Sequence, residues 1–241
     1  MAGIIAERYA LVEYRGDNGL FQSYLVEDLL LQRRAFMKVY PRLEGIGLEY
    51  LKTVTLARET GIPGLLLPEE AGILDGEDDE VLVYALFPEL NEPSLGRYLA
   101  LDFDLSGSEA LGIARKILEC LEELHGRGYL HLFLNPRNVL YHPSGEVLLK
   151  DACLCGDFFP EVLERLPRPD TSFFSPRLMD GGEPRASDDL YAAGLFFRWM
   201  SGYLSPGSEK LLLEQLSDFC LSSGDDGEIL AGLAHRAREL L

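Results

Sequence analysis

The chain has 241 residues, with 40 acidic against 22 basic side chains and a formal net charge of −18. A field of this sign repels phosphate backbones and anionic membranes, so it argues against nucleic acid and membrane surfaces as partners. It fits either a plain solvated surface or an acidic face for a basic protein partner. The hydrophobic share of 47% is typical of a soluble globular protein that can bury a substantial core.

The cysteines and the N-terminus indicate the cellular compartment in which the protein functions. Four cysteines show no paired spacing of a secreted disulfide framework, and Cys153 and Cys155 lack the second half of a zinc site. The N-terminal residues lack the apolar core of a signal peptide, and no apolar run approaches the roughly 18 residues that a membrane span needs. These features predict reduced thiols in a cytoplasmic protein.

The first third of the chain alternates short apolar runs with Gly, Asn and Asp turns, which favours an antiparallel sheet built from hairpins. Helical spacing over 48–60 interrupts these runs and ends at Gly61. The acidic run at 75–80 is predicted to be a solvated hairpin tip. The predicted strands cover 9–14, 21–26, 35–40, 71–74 and 81–86.

Beyond Pro93 the apolar spacing changes to that of helices. Ser106 lies in a plausible N-cap region for the first of them, and a short β-like segment over 145–149 interrupts the helical part. This order predicts an α+β chain, with a β-rich lobe over 1–90 that contains one helix and a mainly helical lobe over 91–241. The predicted helices cover 110–126, 187–202 and 208 to the end.

The segment 131–140, with the sequence HLFLNPRNVL, resembles the catalytic loop of protein kinases, whose pattern is H-R-D-L-K-P-x-N-[IV]-L. The resemblance implies a two-lobed protein kinase-like fold, of the Ser/Thr protein kinase type. Phe133 stands where the family has the aspartate that accepts the proton of the substrate hydroxyl. Because a phenyl ring cannot accept a proton, the chain is predicted to be a pseudokinase with no catalytic residue at the general-base position.

Three other residues resemble the nucleotide-binding residues of this family. Lys38, in AFMKV, resembles the strand lysine that holds ATP phosphates, and Asn138 and Asp151 resemble the two residues that hold magnesium. The resemblance implies nucleotide binding by Lys38, Asn138 and Asp151, with Asn138 and Asp151 as metal ligands and Mg²⁺ with ATP as the cofactor. Weak binding of Mg-nucleotide and a scaffold without nucleotide are both compatible with these residues.

Other departures from the family pattern fall on separate parts of the machinery. Leu132 replaces the arginine that reads activation-loop phosphate, and Asn135 replaces the lysine that contacts the transferring phosphoryl group. The glycine-rich turn at 16–19 is incomplete, with Gln22 near the position of the third glycine. Tyr84 is compatible with two positions, the entrance to the back of the nucleotide pocket and the core of the sheet.

Two expected charge pairs also lack an obvious partner. The helical residue that should pair with Lys38 falls near Thr53, and Glu49 one turn earlier is the candidate substitute. Arg177 replaces the glutamate of A-P-E, and a buried arginine needs a carboxylate. Asp225 or Asp226 is the predicted partner of Arg177.

The residues favour a regulatory or scaffolding module that acts through a protein partner. The alternative is an atypical ATP-dependent transferase, with residual protein kinase activity or transfer of another group, that uses a base other than the missing aspartate. A small-molecule kinase is disfavoured because those enzymes also use the loop aspartate. The stretch after Gly202 lacks the arginine-containing closing motif of protein kinases, which fits either a minimal helical lobe or a piece of a longer protein.

Overall fold

A computed structural model describes ten ranges of the chain, with the side chains of 4, 46–50, 75 and 81 excepted. These ranges are 4–5, 7–17, 21–40, 46–75, 81–90, 92–101, 103–154, 159–160, 164 and 171–222. The chain divides into two compact units. The first contains Met1–Gly61, Leu67–Asn91 and Pro160–Asp170, and the second contains Ile62–Leu66, Glu92–Phe159 and Thr171–Leu241.

The described residues of the first unit include an antiparallel sheet and a helix of 15 residues. Each of the five predicted strands is present, and a short strand that the sequence did not predict pairs with the start of the next. Helix α1 covers Ile46–Thr60. The strands are β1 (Ile4–Ile5), β2 (Tyr9–Asp17), β3 (Gln22–Asp28), β4 (Arg33–Tyr40), β5 (Glu70–Asp75) and β6 (Val81–Pro88), in the spatial order β1-β2-β3-β4-β6-β5.

One face of this sheet carries the core of the first unit. Tyr84 in β6 is paired with Val39 in β4, and both belong to the buried cluster on that face. Because successive side chains on a strand point to opposite faces, Lys38 and its partner Ala85 lie on the other face. The cluster consists of Tyr9, Val26, Ala35, Met37, Val39, Tyr84 and Leu86.

The described part of the second unit is mainly helical. A capping box between Ser106 and Glu109 starts its longest helix, as the N-cap prediction expected. The helices are α2 (Leu95–Ala100), α3 (Gly107–Gly126), α4 (Pro176–Met179), α5 (Ala186–Ser201) and α6 (Ser208–Ser222), and a small antiparallel pair is formed by β7 (Val139–Tyr141) and β8 (Val147–Leu149).

Helices α5 and α6 pack closely because α5 carries a glycine at their contact. A Cβ atom at Gly194 would lie 2.8 Å from the side chain of Leu221 in α6, and the Ser217 hydroxyl donates to the Gly194 carbonyl at 2.7 Å. No helix in the described ranges is both long and apolar enough to cross a bilayer. Several predicted features lie outside the described residues, among them the turn tip at 18–20, the acidic run at 76–80, Cys155 and the helical stretch after 222.

Candidate functional site

The backbone of the 131–140 segment is held by one buried carboxylate. Asp189, fully buried near the start of α5, accepts hydrogen bonds from the backbone N–H of His131 at 2.8 Å and of Leu132 at 2.6 Å. Its Oδ2 also contacts Nε2 of His125 at 2.8 Å. Burial by itself raises the pKa of the Asp189 carboxyl, but the His125 hydrogen bond and the nearby imidazoles outweigh it and hold this pKa below its ordinary value. The carboxylate is therefore ionised and fixes the loop.

Sequence reasoning predicted a helix over 187–202 but assigned no role to Asp189. The signal was present, because two adjacent acidic residues begin a helix whose other residues are largely apolar. A carboxylate on a buried helix requires partners, since an isolated buried charge is strongly unfavourable. Which backbone amides would supply them depends on the tertiary structure.

His131 is a structural residue of the loop. It is fully buried, its Nδ1 accepts from the backbone N–H of Phe133 at 3.2 Å, and its carbonyl accepts from Cys153 N–H at 2.9 Å. Burial lowers the pKa of His131 to about 4, so the ring is neutral at neutral pH. The Lys150 backbone also interacts with this ring and acts against the lowering of its pKa.

The loop backbone is strained where it meets Asp189. Leu132 has a φ of 62°, in the left-handed region that non-glycine residues seldom occupy. Such a conformation costs on the order of 1–3 kcal/mol and persists only where surrounding contacts impose it. The short hydrogen bond from Leu132 N–H to Asp189 supplies that constraint.

Phe133 belongs to an aromatic cluster with Phe159 and Phe174. The ring centroid of Phe133 lies 5.7 Å from that of Phe159 and 5.8 Å from that of Phe174, which are themselves 5.4 Å apart. These separations fall in the range of favourable tilted aromatic pairs. Phe159 and Phe174 are buried and Phe133 is half-buried. The position at which the family has a carboxylate is therefore occupied by a ring packed against two other rings.

The predicted residues Asn138 and Asp151 are brought together by the end of the β7–β8 pair. The backbone N–H of Lys150 donates to the Asn138 carbonyl at 2.9 Å, and Asp151 follows directly with a φ of 63°. The Asn138 side-chain amide donates to the Phe133 carbonyl at 2.8 Å, so its Oδ1 is the atom that could ligate a cation.

Lys150, which was not among the predicted site residues, changes the chemistry of this pair. Its ammonium contacts Oδ2 of Asp151 at 2.9 Å, and burial lowers the pKa of that ammonium to about 8. Mg²⁺ prefers oxygen ligands with negative charge, and here a cation already contacts the carboxylate that would bind it. The residues therefore fit a magnesium ion poorly.

Lys38 lies in the first unit, on the sheet face that also carries Phe87. Its Nζ is 4.4 Å from the ring centroid of Phe21 and 4.6 Å from that of Phe87, which are cation–π distances. Sequence reasoning missed these two rings. Of the residues weighed as its helical partner, Thr53 is half-buried in α1 and the side chain of Glu49 lies outside the described residues.

Tyr84 packs in the sheet core, which decides between its two predicted positions. Its hydroxyl and that of Tyr9 each donate to Oε1 of Glu70 at 2.8 Å. A Cβ atom at Gly72 would lie 2.7 Å from the Tyr84 ring, so any larger residue there would displace the ring. The strand register places Tyr84 on the face opposite Lys38.

Arg177 has a carboxylate partner close by in the second unit. It pairs with Asp188, the residue before Asp189, and also donates to the Glu183 carbonyl at 2.6 Å. The Ser175 hydroxyl contacts the same carboxylate at 2.5 Å. The predicted partners, at 225 and 226, lie outside the described residues.

The chain is similar in sequence to serine/threonine-protein kinases. The chain is 26% identical over 207 residues to the probable serine/threonine-protein kinase PknB of Lactococcus lactis, covering 83% of this chain and 32% of that protein. It is 23% identical over 202 residues to the serine/threonine-protein kinase PrkC of Bacillus subtilis, covering 82% and 31%. The chain thus spans about a third of the length of these curated relatives.

Solved structures agree on the fold. The kinase domain of PknI from Mycobacterium tuberculosis superposes with a TM-score of 0.72 at 20% identity, covering 99% of this chain and 98% of that one. No protein-family model matches the chain. The predicted α+β, two-lobed protein kinase-like fold is confirmed.

Proposed function

Because the chain belongs to the protein kinase-like superfamily, we propose that it is a pseudokinase, a kinase-like domain with impaired catalysis that acts as a regulatory or scaffolding module. The observation that carries this proposal is the aromatic cluster at Phe133. A base at this position would accept the proton of the attacking hydroxyl, and a hydrocarbon ring has no atom that can do so.

The size of the expected loss supports the proposal. A positioned general base contributes roughly 10²–10⁴-fold to a proton-transfer step. The rings of Phe159 and Phe174 also pack against Phe133, so a substrate hydroxyl would meet an apolar surface there. Leu132 and Asn135 remove two further contacts of the phosphotransfer machinery. Each of these changes acts on a different part of the reaction.

Nucleotide binding is the second element of the proposal. Lys38, Asn138 and Asp151 are the polar residues that would contact a nucleotide, with weak affinity because the glycine-rich turn is incomplete. A bound nucleotide would act as a ligand that favours one conformation of the domain. Mg²⁺ was the cation expected from the sequence. The contact between Lys150 and Asp151 opposes its binding, because a positive charge already lies beside the carboxylate.

The proposed partner is a protein with a basic surface, met in the cytoplasm. The net charge of −18 supports this choice, because complementary fields accelerate association and disfavour acidic competitors. Such an association should weaken as ionic strength rises, since salt screens exposed charges.

Radiolabelled phosphate transfer tests the proposal. The native chain and Asp151→Ala are incubated with γ-labelled ATP, with Mg²⁺ or Mn²⁺, and with general protein substrates. We expect equal incorporation in both, at background. Incorporation by the native chain that Asp151→Ala abolishes would overturn the proposal and establish the atypical transferase instead.

A further inference from the structure

The side chain of Lys150 lies beside Asn138 and Asp151, the two residues that the sequence predicts to be metal ligands. Lys150 and Asp151 are consecutive residues at the end of β8, and Nζ of Lys150 is 2.9 Å from Oδ2 of Asp151. Both side chains are largely shielded from solvent, with 29% and 13% of their surfaces exposed. The Lys150–Asp151 pair is therefore partly buried in the second unit, unlike an ion pair on the exposed surface.

The same backbone segment holds Asn138 against this pair. The hydrogen bond from Lys150 N–H to the Asn138 carbonyl continues the β7–β8 pairing by one step, which brings Asn138, Lys150 and Asp151 to one end of it. The Asn138 side chain is oriented in turn by its bond to the Phe133 carbonyl. Three polar residues are thus fixed by short-range contacts within one unit.

A divalent cation at this position would compete with the ammonium. Mg²⁺ binds carboxylate oxygens at short distance and in strict octahedral geometry, and it would have to approach a carboxylate that already contacts a positive charge. Like charges close together in a poorly solvated site repel strongly. Binding of the metal therefore requires that Lys150 move away from Asp151.

We infer that Lys150 takes the place of the divalent cation, and that Asn138, Lys150 and Asp151 recognise the polyphosphate of a nucleotide without metal. This inference deepens the proposed function and rests on it. An ammonium has three N–H donors, of which one contacts Asp151 and the others can reach phosphate oxygens. Asp151 then positions Lys150, and lysine serves as a point charge for phosphate, as it does in other phosphate sites.

Thermal unfolding of the full chain tests the inference with ATP in excess EDTA and with ATP in excess MgCl₂. We expect the midpoint to rise equally in both, because the ligand stabilises the folded state in proportion to its binding. Lys150→Met keeps the length of the side chain and removes the charge, so ATP binding in EDTA should weaken about 10- to 100-fold. Lys150→Arg keeps the charge and should retain the rise.

Lys116→Met is the matched control. Lys116 is half-exposed in α3, where its only described carboxylate contact is with Glu119 at 3.7 Å. This variant makes the same chemical change on the same unit and should behave as the native chain. If Lys150→Met does not fold, as judged by circular dichroism, the EDTA and MgCl₂ comparison on the native chain decides.

Two results would overturn the inference. One is a rise that appears only with MgCl₂, and the other is no rise with ATP in either condition. Neither of these binding results measures phosphate transfer. The radiolabel assay would therefore still decide the pseudokinase proposal. Inorganic tripolyphosphate in place of ATP shows which part of the ligand is recognised. If tripolyphosphate raises the unfolding midpoint as much as ATP does, phosphate alone is recognised. If ATP raises the midpoint more, the nucleoside is recognised as well. Both support the role of Lys150.

Discussion

The two sides of the 131–140 segment differ in chemistry. On one side Asp189 accepts the N–H groups of His131 and Leu132, and the carboxylate is fully buried. On the other side Phe133, the next residue, packs among Phe159 and Phe174. The polar contacts that hold the loop are therefore present beside an apolar position. The loop backbone can therefore be held in place by Asp189 while the neighbouring position packs in an apolar cluster.

The two sides also differ in how they should respond to change. A buried carboxylate with several hydrogen bonds leaves its partners unsatisfied when it is removed, and the cost is high. A half-buried ring can be exchanged for another apolar side chain at modest cost. Substitution of the carboxylate should therefore cost more stability than substitution of the ring.

Removal of the buried carboxylate should have the largest effect. We expect Asp189→Ala to lower the free energy of unfolding by about 3–5 kcal/mol, because the buried amides and His125 lose their partner. Denaturation in urea measures this change. Asp218→Ala is the matched control, since Asp218 pairs with Arg198 at 2.7 Å but is 74% exposed and should cost about 0–1 kcal/mol. Equal costs for the two variants would contradict the role given to Asp189.

Acid should destabilise the loop through His131. Its pKa is about 4 in the folded state and about 6.5 in the unfolded chain, so the unfolded chain binds more protons between these values. Stability should therefore fall as pH decreases from about 6.5 to about 4, by up to about 3 kcal/mol from this residue. Urea midpoints across that range measure the slope.

Two variants test whether His131 causes this dependence of stability on pH. His131→Leu should flatten it, whereas His142→Gln, at an exposed histidine of the second unit, should leave it unchanged. The buried carboxylate near the ring acts at lower pH: the pKa of Asp189 lies below its ordinary value, so its contribution is present above that value and lost as pH falls further. A slope that survives in His131→Leu would assign the effect to other groups.

Substitution on the apolar side should have the smallest effect. Phe133→Leu keeps an apolar side chain and should cost about 1 kcal/mol, whereas Phe133→Asp places a carboxylate against two rings and should cost about 2–3 kcal/mol. We also expect Phe133→Asp to show no phosphate transfer, because Leu132 and Asn135 remain. Urea denaturation and the radiolabel assay measure both. A variant as stable as the native chain would contradict the packing role of the cluster.

Local patterns were sufficient for much of this protein. The predicted strands and the helices at 48–60, 110–126 and 187–202 agree with the structure to within a few residues, because alternation, helical spacing and turn residues act over short distances. The short helices at 95–100 and 176–179 were missed, since one or two turns carry too little periodicity. Phe133 could also be identified from sequence, because its neighbours in the loop match a known pattern position by position.

The contacts that give the site its character required the tertiary structure. Asp189 is separated by 58 residues from the His131 amide it accepts, so nothing in the local sequence names that pair. Strand register decided that Tyr84 faces away from Lys38, since a shift by one residue would reverse the face. Lys150 and Asp151 are adjacent in sequence, yet only side-chain conformation and burial determine that they pair. Sequence by itself determined the order of elements and the phenylalanine at loop position 133, because both are local. The polar contacts around the loop were decided by the packing of distant segments.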